Sequence, residues 1–145
     1  MLRERNVQGL DFAYKHYPEE NHGTVPIKSY YDGLRFIYRE WALPAVTDEE
    51  VNSEIIMKHY KGLSKKYGYT ILPEESSIND WAQWLIKTPT TLDNGISLLE
   101  MNTENYPLSS KAFTVLAAVY DMIGKKEKAT ATYKKANDLK TTSNK

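Results

Sequence analysis

The chain has 145 residues, 41% of them hydrophobic and 12% aromatic with eleven tyrosines, enough apolar surface to offset the entropy of ordering most of its length. Nineteen basic residues balance nineteen acidic ones, which argues against a general binder of nucleic acid or of membrane surfaces, since both need a phosphate-neutralising excess of lysine and arginine. Cysteine is absent, so disulfides, thiolate metal sites and a cysteine nucleophile are excluded while the compartment stays open. No stretch approaches the roughly 20 apolar residues of a transmembrane helix, and "MLRERN" does not lead into a signal-peptide core.

In chain order, Leu10, Phe12, Tyr14 and His16 alternate with Asp11, Ala13, Lys15 and Tyr17. That is the period of a strand, closed by Pro18. The loop "EENHGTVP" follows. Beyond Pro26 the apolar residues Ile27, Tyr30, Tyr31, Leu34, Ile37, Tyr38 and Trp41 recur at spacings of three and four, predicting an amphipathic helix over 27–41. Thr47 with Glu50 three positions on is a capping box, predicting a helix over 48–67. Ser77 or Asn79 opens the next helix, which runs to Pro89, and another spans 91–105 before Pro107. Two more flank Gly124, and 141–145 reads as a frayed, disordered tail.

The helical part contains an internal repeat. Phe113, Leu116, Ala117, Tyr120, Gly124, Ala129, Tyr133 and Ala136 fall at the spacings of the tetratricopeptide signature. Shifted back by 34 residues, a degenerate copy reads Asn79, Ala82, Gln83, Ile86, Gly95, Leu99, Asn102 and Pro107. Two helical hairpins are therefore expected, about 77–107 and 110–140. Two repeats are fewer than the three or so needed to bury a continuous core, so the helix of 48–67 is expected to cover the open end. Charge is uneven across them. Residues 74–105 hold six acids against one base, net −5, and residues 121–145 hold seven lysines against three acids, net +4.

Two of the three histidines crowd into "HYPEENHGTVP" at 16–26. His16, His22, Glu19 and Glu20 could be metal ligands, but their spacing does not match a helical pair and no third fixed ligand accompanies them, so neither metal nor cofactor is expected. A histidine on a loop between a strand and a helix suits another task, taking a proton from a serine nucleophile and returning it to the leaving group. In α/β-hydrolases that histidine comes last in the chain, between the final strand and the final helix.

The stretch "YPEENHGTVPIKSYYDGLRFIY" resembles the C-terminal end of esterases of the α/β-hydrolase superfamily, the group that includes esterase D and the siderophore esterases. The resemblance continues through "HYKGLSKKYGYTILPEESSIN" and the tetratricopeptide-like part, which is similar to an extension carried by some bacterial members. It implies that His22 is the general base and acid, that Glu20 or Asn21 shapes its loop, and that the reaction is ester hydrolysis through an acyl-serine. The implied architecture is mainly α. Residues 1–44 form the last strand, histidine loop and last helix of the hydrolase, and 45–140 a helical domain.

The departure from that family is the missing nucleophile. Of the seven glycines only Gly62 and Gly95 have a serine two positions on, Ser64 and Ser97, and Lys66 and Leu99 stand where the closing glycine of G-x-S-x-G belongs. Alone, the chain is expected to be inactive, its partner being the remainder of a hydrolase domain in the same parent chain. The alternative is a stand-alone interaction or oligomerisation module with a vestigial hydrolase segment. In either case the exposed strand could pair two copies into a homodimer.

Overall fold

The computed structural model describes residues 9–143, which contain six helices and no strand. The chain is mainly α, and it divides into two compact units, Met1–Ala42 and Leu43–Lys145.

In the first unit, helix α1 spans Val25–Ile37 with Pro26 in its first turn, where a missing amide costs no intrahelical bond. It ends four residues before the expected Trp41. Residues 10–17, expected to form a strand, form none. Apolar alternation supplies the side-chain pattern of a strand, but the element is completed only by a neighbour's ladder of hydrogen bonds, and no second strand occurs among the described residues. This segment is held through polar side chains. Lys15 and the Tyr17 hydroxyl both donate to Asp32, at 2.5 and 2.7 Å, and Arg39 pairs with Asp11. Because Tyr17 meets residue 32 and Asp11 meets residue 39, the segment runs antiparallel to α1.

The second unit holds helices α2 (Ser53–Tyr67), α3 (Glu75–Leu85), α4 (Leu92–Asn105), α5 (Ser110–Met122) and α6 (Lys126–Ser143). The capping box of Thr47 and Glu50 forms, with Thr47 N–H and Oγ1 both donating to Glu50. It closes an isolated turn, and α2 starts later under Asn52, whose side chain accepts from Ile55 N–H. Likewise α3 begins before Ser77, because Glu74 caps it by accepting from the Ser76 and Ser77 amides. The Ser76 hydroxyl first, then that of Ser77 and these amide bonds, hold the Glu74 carboxyl down at about 2. A carboxyl depressed on folding stabilises fully above its unfolded value, and the contribution is lost as pH falls from about 4.5 toward about 2. Denaturation midpoints of the chain and of Glu74→Gln should therefore differ at pH 6, draw together below about pH 4.5 and converge only below about pH 2. A constant gap would place the effect elsewhere.

Helix α3 packs on α4 and α5 on α6, while α4 meets α5 and α2 meets α4. Both hairpins are antiparallel. Gly95 near the start of α4 lies against Ala82 and Ile86 late in α3, and Asn102 near the end of α4 bonds Glu75 and Asn79 early in α3. In the second hairpin Lys135 of α6 lies over Phe113 early in α5, and Lys128 over Tyr120 late in it. Gly124, at φ +77°, makes the left-handed turn between α5 and α6. The core comprises Val51, Ile56, Leu85, Leu98 and Leu99, with Ala129 of α6 against it. Helix α6 extends through Ser143, so 141–143 are helical where a disordered tail was expected, and 144–145 lie outside the described residues.

At Gly95 the backbone of α4 lies tight against α3. A Cβ there would stand 2.6 Å from Ile86 Cγ2 and 2.9 Å from the Ala82 carbonyl oxygen. Alanine gains about 1 kcal/mol of helix propensity over glycine, but backbone cannot swing aside as a side-chain end does. Gly95→Ala should therefore destabilise by about 1 to 3 kcal/mol through overpacking. A denaturant midpoint at or above that of the parent sequence would show that the helices have room to separate.

Candidate functional site

The histidine loop is built by its neighbours. Asn21 Oδ1 accepts from the Gly23 and Thr24 amides at 2.8 and 3.2 Å, and the Asn21 carbonyl accepts from Val25 N–H at 2.9 Å. This side-chain-closed turn, the type asparagine favours, leads into α1 with His22 at its tip. Glu20 is drawn onto α1 by Lys28, whose ammonium lies 2.5 Å from it and 3.2 Å from Glu19. The Lys28 hydrogen bond, followed by that of Thr24, lowers the Glu20 carboxyl below its usual range. Lys28 itself is raised by the two glutamates, Glu20 first.

His22 and His16 are both exposed. No hydrogen bond or ion pair joins the His22 side chain to another described residue, and the loop glutamates point to Lys28 instead. The nearest serine in sequence, Ser29, has its hydroxyl spent on the Pro26 carbonyl. Among the described residues no three histidine or carboxylate side chains gather closely enough to hold a metal ion. The structure thus brings Glu19, Glu20 and Asn21 together to shape the loop and presents His22 outward. An imidazole so placed can exchange a proton with whatever approaches, but by itself it activates no nucleophile.

Sequence reasoning missed the stripe that organises this unit. Lys28, Asp32, Arg35 and Arg39 recur at spacings of three and four, and three of them hold the chain of 11–20 against the helix: Lys28 by Glu19 and Glu20, Asp32 by Lys15 and Tyr17, Arg39 by Asp11. Lys15, then Tyr17, lowers the Asp32 carboxyl. Charge at helical spacing was the available signal. The consequence is an inverted arrangement in which α1 turns its polar stripe to its own chain. Its apolar stripe stays uncovered, with Ile27 72%, Tyr30 73% and Leu34 56% exposed. None of the residues of α1 is buried.

Compared with known proteins, the chain matches no family model, no curated protein and no solved structure.

Proposed function

We propose that the chain is the C-terminal part of an α/β-hydrolase-type serine esterase, contributing the catalytic-histidine loop and a helical, tetratricopeptide-like extension. The observation that carries this reading is the pairing of an outward histidine with an uncovered apolar helix face. His22 stands on a tight turn where an incoming serine and carboxylate could reach both ring nitrogens. The Ile27, Tyr30 and Leu34 stripe of α1 is the kind of surface that a hydrolase packs against its sheet. In that role His22 takes the proton from the serine as it attacks the ester carbonyl and returns it to the departing alcohol, and water then repeats the cycle on the acyl-serine. The serine, the orienting acid and the oxyanion donors belong to the remainder of the hydrolase domain, in the same parent chain.

The size of the native gene product in its source cell tests this directly. An immunoblot band of about 350 to 400 residues, one hydrolase domain plus this extension, supports the esterase reading. A band at 145 residues overturns it.

The second reading is a stand-alone interaction or oligomerisation module. It is favoured by the observation that, among the described residues, every buried hydrophobic one lies in Leu43–Lys145, a unit with a core of its own. In that case the uncovered segment and stripe of 10–41 form a contact between copies. Sedimentation of the purified chain separates the readings further. A monomer at high concentration whose amides at 10–17 resist hydrogen exchange counts against both a missing sheet and a dimer.

A further inference from the structure

An open, shallow groove of about 400 Å³ lies across α4, α5 and α6. Its floor is Phe113, Leu116 and Tyr120 of α5, residues at i, i+3 and i+7 that follow one side of the helix for about 10 Å. One wall is Glu100, Thr103 and Glu104 of α4, and the other includes Thr132 and Lys135 of α6. Helix α5 packs against both neighbours, while α4 and α6 do not pack on each other.

The charges on the two walls are opposite, and they do not meet. Lys135 lies 4.3 Å over the Phe113 ring and Lys128 lies 5.2 Å over the Tyr120 ring. Glu100 accepts from the Tyr120 hydroxyl, whose ionisation is pushed up by burial and then by that bond. Among the described residues no ion pair joins Glu100 or Glu104 to either lysine. Were the acidic and basic faces present only to attract each other within the fold, this is where they would pair. They flank a gap instead.

We infer that the groove seats an extended segment of a partner protein in which basic and acidic side chains alternate. An extended chain rises about 3.3 Å per residue and sends successive side chains to opposite sides, so three residues fill the length of the floor. Two basic side chains, two positions apart, then face Glu100 and Glu104, which are four apart on α4. The acidic side chain between them faces Lys135, the lysine that lines the groove. Their aliphatic stems cover the edges of Phe113 and Tyr120. Charge complementarity of this kind sets register and partner choice more than affinity.

The probe is the capped pentapeptide glycine-arginine-glutamate-arginine-glycine, followed by amide chemical shifts of the whole chain. The expected result is saturable shifts at Thr103, Glu104, Leu116, Tyr120 and Thr132 with Kd of about 1 mM or below, and binding about tenfold weaker for a control with glutamine at all three charged positions. Raising the salt should weaken the first peptide and leave the control unchanged. The variant Glu104→Gln/Lys135→Gln alters two exposed side chains, should melt like the parent sequence, and should bind about tenfold more weakly. Shifts elsewhere in the chain, equal binding of the neutral control, or an unaltered double variant would each overturn the assignment.

Discussion

Replacing His22 with alanine is expected to leave the stability of this chain within about 0.5 kcal/mol of its original value, as for other exposed side chains without partners. On the esterase reading proposed above, the same change in a full-length parent should lower hydrolysis of a p-nitrophenyl ester on the order of 10⁶-fold, since loss of the base in a Ser-His-Asp system costs about as much as loss of the whole triad. The two halves belong together. His22 is exposed and no other described residue bonds its ring, so nothing in the fold is lost with it. The surrounding turn is closed by Asn21 rather than by His22. A fall in stability would mean that His22 has a structural partner, and retained esterase activity in the parent would exclude the catalytic role. Asn21→Ala provides a contrast. It opens the turn while keeping the imidazole, and should lower kcat through misplacement while His22→Ala removes the proton carrier itself.

What the sequence makes legible here is what depends on local spacing. The helix of 91–105 lies within a residue of α4, and the helices flanking Gly124 stand where glycine supplies the left-handed turn. Helix starts drift where two caps compete. Thr47 and Glu50 make their capping bonds on an isolated turn while Asn52 starts α2, and Glu74 caps α3 with a carboxylate outside the usual short side chains. The strand of 10–17 fails for a different reason. Its alternation of Leu10, Phe12 and Tyr14 describes how side chains would point if a neighbour existed, and a ladder is a property of two segments. The same limit applies to α1. Periodicity locates its apolar and polar stripes, but only the Lys28, Asp32 and Arg39 contacts show that the polar one faces the chain of 11–20. For the site, His22 and its loop are readable as a motif, whereas the pull of Lys28 on Glu19 and Glu20 is visible only in three dimensions.

The second large effect is expected at Asn102, fully buried between α3 and α4. Its Nδ2 donates to the Glu75 carbonyl and to Asn79 Oδ1, each at 3.0 Å. Asn102→Ala removes both bonds and should cost on the order of 2 to 5 kcal/mol, since each acceptor left bare in the interior forfeits about 1 to 3 kcal/mol. The pair is already imperfect, because Asn79 Nδ2 and Asn102 Oδ1 find no partner. This gives the repeat relationship a sharp consequence. Asn79 and Asn102 occupy the positions that Phe113 and Ala136 hold 34 residues later, and those two are also buried, on α5 and α6. If the hairpins are equivalent, Asn79→Phe/Asn102→Ala replaces a half-satisfied amide pair by the apolar pair of the second hairpin. Replacing both partners by matched apolar groups is close to neutral where removing one is not, so the double variant should recover most of the loss from Asn102→Ala. Four denaturant melts complete the cycle. A double variant less stable than Asn102→Ala would mean that the hairpins pack differently at this layer, and the 34-residue correspondence would have to be abandoned.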